Sequence, residues 1–235
     1  MEIYYSKSAK DALREMTCKL IGIMRAESYN IPFNLALSGG STARQLFALW
    51  QEEYKMLIDW DRIRFYWVDE RCVSPENEES NFKYAYEDLF ELLGIPQTRI
   101  YRIRGEEDPS KEANRYSELI DRQLPKKNGL PHFDAIILGI GADGHTASIF
   151  SSCNFLLNDV RIYAVSRHPD TMQLRITMTG PVILNDTPLL IPVIGEDKRA
   201  ILRRLLDART VTDDFPAACI VYRAASASVF TDITF

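Results

Sequence analysis

Basic residues are the scarcer charge in this chain: 28 Lys and Arg stand against 33 Asp and Glu, a formal net charge of -5 over 235 residues. A nucleic-acid binder needs a basic face, so the balance argues against that class while leaving room for a local basic pocket. Histidine is rarer, with three residues, and cysteine contributes four, at positions 18, 72, 153 and 219. No C-x-x-C pair and no H-E-x-x-H pattern occurs, so neither a metal centre nor a dithiol redox site is expected. Widely spaced cysteines fit free thiols in a reducing cytoplasm. No apolar run approaches the roughly 18 residues of a spanning helix. Residues 1–5 lack the basic-then-apolar pattern of a secretory signal. No repeat, low-complexity tract or linker interrupts the chain, so one domain over 1–235 is expected.

What is present is an alternation of apolar runs with amphipathic stretches. Strands are predicted at 3–5, 33–37, 63–68, 100–103, 133–138, 162–165, 174–178, 189–194 and 228–230. Helices are predicted at 43–50, 81–93, 109–124 and 196–208. A further one follows Ser6 or Ser8 as cap, with Ala12, Leu13, Met16, Leu20, Ile23 and Met24 at helical spacing. Pro192 places the 189–194 strand near an edge or a bend. The alternation implies a three-layer α/β/α fold, a Rossmann-like, mainly parallel sheet with helices on both faces. Ligands in such sheets sit beyond the carboxyl ends of the strands.

Three loops leave predicted strand ends there, after Leu37, Val68 and Leu138. Five of the eleven glycines (39, 40, 139, 141 and 144) fall in two of them, a clustering that points to close backbone approach to a ligand. Ser38-Gly39-Gly40-Ser41-Thr42 combines small residues with a helix start, whose free N–H groups and dipole favour an anion such as phosphate. It lacks the Gly-Lys-Ser/Thr ending of a Walker A loop and the G-x-S-x-G of a nucleophile elbow. Asp69-Glu70-Arg71 adds a guanidinium fork suited to phosphate, beside a carboxylate at the ligand edge. Gly139 to Gly144 spells G-x-G-x-x-G. A dinucleotide site is excluded because Asp159, at the right spacing, precedes its strand, and Asp143 aims a carboxylate where a pyrophosphate belongs. The loop ends in His145, a candidate general base beside Asp143. His132 and His168 lie in proline-flanked breaks. Lys198 follows Gly195-Glu196-Asp197 at a helix start.

Taken together, Leu37-Ser38-Gly39-Gly40-Ser41-Thr42, Asp69-Glu70-Arg71 with Ser80-Asn81, and the run from Leu138 through Gly144-His145-Thr146-Ala147-Ser148-Ile149-Phe150 resemble the 6-phosphogluconolactonases. Arg175-Ile176-Thr177-Met178-Thr179 and Gly195-Glu196-Asp197-Lys198 resemble later motifs of that family. The related glucosamine-6-phosphate deaminases/isomerases share several of these motifs. They carry a glutamate shortly after the Asp-Gly-His, and none is present here. The lactonases carry a Ser-Pro-Lys-Pro-rich run before the Arg-Ile-Thr. Here Asp170 stands at the lysine position, and Arg167 is the substitute charge the sequence offers.

The resemblance implies hydrolysis of 6-phospho-D-glucono-1,5-lactone without metal or cofactor. His145 is then the base, oriented by Asp143 or Asp69. The phosphate is held by Gly39, Gly40, Ser41, Thr42, Arg71 and Lys198, with Arg167 as a further candidate. The expected partner is a small sugar phosphate, not nucleic acid or membrane, and the expected state is a monomer or weak homodimer. An amino-sugar-phosphate deaminase/isomerase and a non-enzymatic phosphosugar sensor remain as alternatives.

Overall fold

A computed structural model describes residues 1–29, 31–208 and 212–235. Six strands form a central sheet: β1 (Glu2–Tyr5), β2 (Phe33–Leu37), β3 (Ile63–Trp67), β7 (Ala135–Ile137), β10 (Leu189–Val193) and β11 (Ala227–Thr231). Their spatial order is β1-β11-β10-β7-β2-β3, and every pairing is parallel. Every residue of β2, β7, β10 and β11 is buried. That explains their near-continuous apolar sequences, because a parallel strand covered on both faces has no polar side to alternate. The α/β/α arrangement predicted from the alternation is therefore the one observed.

Long helices flank the sheet. Helix α1 (Ala9–Ala26) buries Ala12, Leu13, Met16, Leu20 and Met24. It is capped by Ser8, whose hydroxyl accepts the Asp11 N–H at 3.2 Å. Helix α2 (Ser41–Glu53) follows β2. Helix α3 (Asn81–Ala85) runs through a π turn (Tyr86–Phe90) into α4 (Glu91–Leu93), so the predicted 81–93 helix forms with one widened turn. Helix α5 (Pro109–Gln123) is capped by Asp108. The short α6 (Gly180–Ile183), α7 (Arg199–Leu206) and α8 (Pro216–Arg223) complete the set. The predicted 196–208 helix divides into a 3-10 turn (Glu196–Lys198) and α7. The sequence reading did not include α8.

Three expectations are corrected. The 162–165 and 174–178 runs are strands, but they leave the parallel sheet. As β8 (Tyr163–Arg167) and β9 (Leu174–Met178) they form a separate antiparallel sheet with β4 (Asp69–Arg71), in the order β4-β9-β8. Residues 100–103 form no strand; Ile100 makes one isolated bridge to Phe65. Pro192 lies in an inner strand, between β11 and β7. The Leu138 N–H donates to the Leu190 carbonyl at 3.0 Å. By strand alternation Pro192 turns to the same side two residues later, where the β7 chain has already left the ladder for Gly139, so its missing donor is not needed there. A two-stranded hairpin, β5 (Lys126–Lys127) and β6 (Leu130–Pro131), fills the turn-rich break before β7.

Strand order also locates the ligand edge. The chain passes outward from β2 to β3, then returns to the other side of β2 at β7 and proceeds to β10 and β11. The switch point lies between β2 and β7, where two diverging loops open a crevice at the carboxyl ends. These are the glycine-rich loops 38–42 and 139–145.

Candidate active site

A cleft of about 200 Å³ lies at that switch point. It is lined by Gly39, Gly40, Ser41 and Thr42 from the first loop, Asp69 and Arg71 from β4, and His145 and Lys198. Eight of the residues singled out from sequence thus meet in one place, although they span 160 positions of chain. Asp143 is held beside them through His145. Arg167 is not among the lining residues; it is exposed at the end of β8. Arg175, one register step away on β9, lines the cleft instead.

The first loop is built by two glycines for different reasons. Gly40 has φ +91°, a conformation that side chains rarely adopt. At Gly39 a Cβ would fall 1.8 Å from the Asn81 side-chain oxygen, so only glycine lets Asn81 close the wall. Helix α2 starts at Gly40 with no side-chain cap and no acid in its first turn. Helices α1, α3 and α5 are capped by Ser8, Ser80 and Asp108. The first-turn N–H groups of α2 therefore meet the cleft without a side-chain acceptor, at the positive end of a 13-residue helix.

The Asp69-Glu70-Arg71 segment, read as a loop, is a strand, and alternation divides its charges. In the β4–β9 ladder Asp69 pairs with Thr177, Glu70 with Ile176 and Arg71 with Arg175. Asp69 and Arg71 share one face with Arg175. Glu70 points the other way and accepts from the N–H groups of Asn81 and Phe82 at 2.7 Å each, from Arg71 N–H at 2.8 Å and from Ser80 Oγ at 3.1 Å. It anchors α3 and leaves the cleft to its neighbours. Arg71 and Arg175 lie directly opposite, a like-charge pairing that is unfavourable by itself. Among the described residues neither Nε has a hydrogen-bond partner, although both are shielded from solvent. Burial lowers the pKa of Arg175, partly offset by Asp69.

The third loop orients His145. The Gly141 N–H donates to the His145 carbonyl at 2.9 Å and the Gly144 N–H to the Gly141 carbonyl at 3.0 Å, closing a tight turn. The His145 Nδ1–Asp143 Oδ1 distance is 2.5 Å. A carboxylate only accepts, so Nδ1 carries the hydrogen and Nε2 of the neutral ring keeps its lone pair. The same hydrogen bond holds the Asp143 carboxyl down to about 2. A Cβ at Gly141 would lie 2.2 Å from the imidazole. Phe150 packs against the ring with centroids 4.6 Å apart. The Lys198 ammonium donates to the Ile140 carbonyl at 3.1 Å, and the Ala217 N–H of α8 donates to the Gly144 carbonyl at 3.0 Å. Of the two acids considered as partners of His145, Asp143 makes the contact. Asp69 is engaged elsewhere, by the Ser148 hydroxyl at 2.5 Å.

Sequence reasoning missed Asn81, Ser148 and Arg175 as site residues. Each belonged to a quoted motif, but burial rather than spacing sets their roles. Among the described residues no group of three or more His, Cys, Asp or Glu side chains is placed to hold a metal ion. No helix in them is long and apolar enough to cross a membrane.

The chain as a whole is similar to known proteins. The chain is 44% identical over 168 residues to a 6-phosphogluconolactonase of Treponema pallidum, covering 72% of this chain and 70% of that protein. It is 38% identical to one of Haemophilus influenzae over 81% of both chains. The solved 6-phosphogluconolactonase of Trypanosoma cruzi superposes with a TM-score of 0.85 at 26% identity, covering 98% of this chain and 93% of that one. A family model for glucosamine-6-phosphate isomerases/6-phosphogluconolactonase matches residues 7–230, and the chain belongs to that family.

Proposed function

We propose that this enzyme hydrolyses 6-phospho-D-glucono-1,5-lactone to 6-phospho-D-gluconate, with His145 as general base. The observation that carries the reading is the His145–Asp143 hydrogen bond at 2.5 Å on the wall of a cation-rich cleft. A δ-lactone is already activated, so a base and a positioned carbonyl are enough. His145 Nε2 takes a proton from water as the water oxygen adds to C1. Collapse of the tetrahedral species breaks the C1–ring-oxygen bond, and the imidazolium returns its proton to that oxygen. Asp143 holds the tautomer and stabilises the transient cation. The phosphate is assigned to the uncapped start of α2 at Gly39, Gly40, Ser41 and Thr42, with Arg71, Arg175 and Lys198 supplying positive charge. Its binding energy fixes the carbonyl beside His145.

Arg175 takes the position proposed from sequence for Arg167. The preference for lactone hydrolysis over amino-sugar-phosphate isomerisation rests on the segment after His145. Thr146, Ala147 and Ser148 supply no acid for ring opening, and Asp69 is the carboxylate lining the cleft.

The test generates the lactone in situ with glucose-6-phosphate dehydrogenase and follows 6-phosphogluconate with its own dehydrogenase, against spontaneous hydrolysis. Acceleration is expected, falling roughly 100- to 10,000-fold in His145→Ala. Normal turnover in that variant would remove His145 as base. Ammonia and fructose 6-phosphate from glucosamine 6-phosphate would select the deaminase reading.

A further inference from the structure

We infer that the buried Ser148 hydroxyl is a positioning residue that keeps Asp69 from pairing directly with Arg175, and so holds the Arg175 guanidinium available to the substrate phosphate. The inference rests on the phosphosugar reading of the cleft.

Ser148 is fully buried, and Asp69 is 5% exposed. The hydroxyl lies 2.5 Å from Asp69 Oδ2 and 3.4 Å from Arg175 Nη1. The direction of this chain is fixed by chemistry. A guanidinium only donates and a carboxylate only accepts, so the single hydroxyl proton goes to Asp69 and the oxygen lone pair faces Arg175. Asp69 and Arg175 form no ion pair within 4.0 Å among the described residues, although they share a face of the β4–β9 ladder. The hydroxyl occupies the place where a direct bidentate pair would form, an arrangement that would consume the fork.

The backbone enforces this placement. Ala147, on the cleft wall, has φ +52°, rare for a residue with a side chain. Its neighbours are pinned on both sides: Thr146 Oγ1 donates to the Gly139 carbonyl at 2.8 Å, and the Ser148 N–H donates to Thr177 Oγ1 at 3.1 Å. The Ser166 hydroxyl donates to the Ser148 carbonyl. The turn that carries His145 into the cleft thus also drives Ser148 beneath it, coupling the base to the anion site.

Without the hydroxyl, Asp69 loses its donor and draws Arg175 onto itself. The test compares wild type, Ser148→Ala, Ser148→Cys, Arg175→Ala and the Ser148→Ala/Arg175→Ala double variant. Folding is checked by melting, and the near-isosteric Ser148→Cys guards against a packing defect in the alanine variant. In Ser148→Ala, kcat/KM for the phosphorylated lactone should fall roughly 10-fold more than for unphosphorylated glucono-1,5-lactone. Inorganic phosphate, measured by calorimetry, should weaken by a similar factor. The double variant should be no worse than Arg175→Ala, because the two act as one unit. Equal losses on both lactones, or losses that add, would overturn the inference while leaving the reaction standing. If wild type shows no lactone turnover but Ser148→Ala still weakens phosphate, the inference stands and the reaction fails. Unchanged phosphate affinity in Ser148→Ala, or no phosphate binding by wild type, overturns it.

Discussion

At the scale of single residues the cleft depends on atoms that are absent as much as on those present. Gly141 leaves the volume that the imidazole occupies, since a Cβ there would sit 2.2 Å from two ring atoms of His145. Gly141→Ala should cut turnover more than roughly 10-fold through ring displacement, with a melting temperature near that of wild type; kinetics beside a thermal melt separate the two effects. Asp143 acts through charge. Asp143→Asn replaces the acceptor that selects the tautomer and should lower kcat by on the order of 100-fold or more with little change in KM. The carboxyl is held at about 2, below its ordinary 3.8. Its contribution to stability is therefore present above pH 3.8 and lost as pH falls through about 2. The side chain is half exposed, so the contribution is screened and small. Urea midpoints of wild type and Asp143→Asn should differ by a constant amount above pH 4 and converge towards pH 2.

At the scale of elements, helix α2 gives up the stabilisation that a cap provides. Its first turn carries no acid and its start is a glycine, whereas α1, α3 and α5 each have a side-chain acceptor. Ser41 is exposed at the first helical position. Ser41→Asp should raise the melting temperature by about 1–4 °C through the helix dipole. The same carboxylate would occupy the anion position and raise KM for the phosphorylated lactone steeply. A variant that is more stable and still binds phosphate normally would place the phosphate elsewhere. Element boundaries were legible where one physical signal dominated: the apolar period of α1, the all-apolar β2 and the Pro-led α5. The Asp69-Glu70-Arg71 segment was not, because three charged residues read as a loop until a partner strand assigns them faces. Arg175 was missed for the same reason. Its proximity to Arg71 is a register, and register appears only when β4 and β9 pair.

At the scale of the molecule, two sheets must keep a fixed relation for the cleft to exist. The parallel sheet carries the 38–42 loop and the His145 loop; the antiparallel sheet carries Asp69, Arg71 and Arg175. They are joined where β3 passes into β4. There the Tyr163 hydroxyl donates to the Trp67 carbonyl at 2.6 Å and the Met178 N–H to the Val68 carbonyl at 2.8 Å. Tyr163 is buried, so Tyr163→Phe should cost about 1–3 kcal/mol by urea denaturation. A loss confined to KM and kcat, without a shift in midpoint, would mean that this bond tunes the cleft without bearing on the fold.

The order of strands and helices, the glycine-rich turns at strand ends and the candidacy of His145 as base follow from the chain alone, because each is a local matter of period, backbone freedom or side-chain chemistry. The partition of strands between two sheets, the inner position of Pro192, the choice of Asp143 over Asp69 as partner of His145, and the entry of Arg175 in place of Arg167 were decided only by tertiary structure. These depend on which residues distant in sequence share a face or an edge, and a local pattern carries no record of pairing across 100 residues of chain.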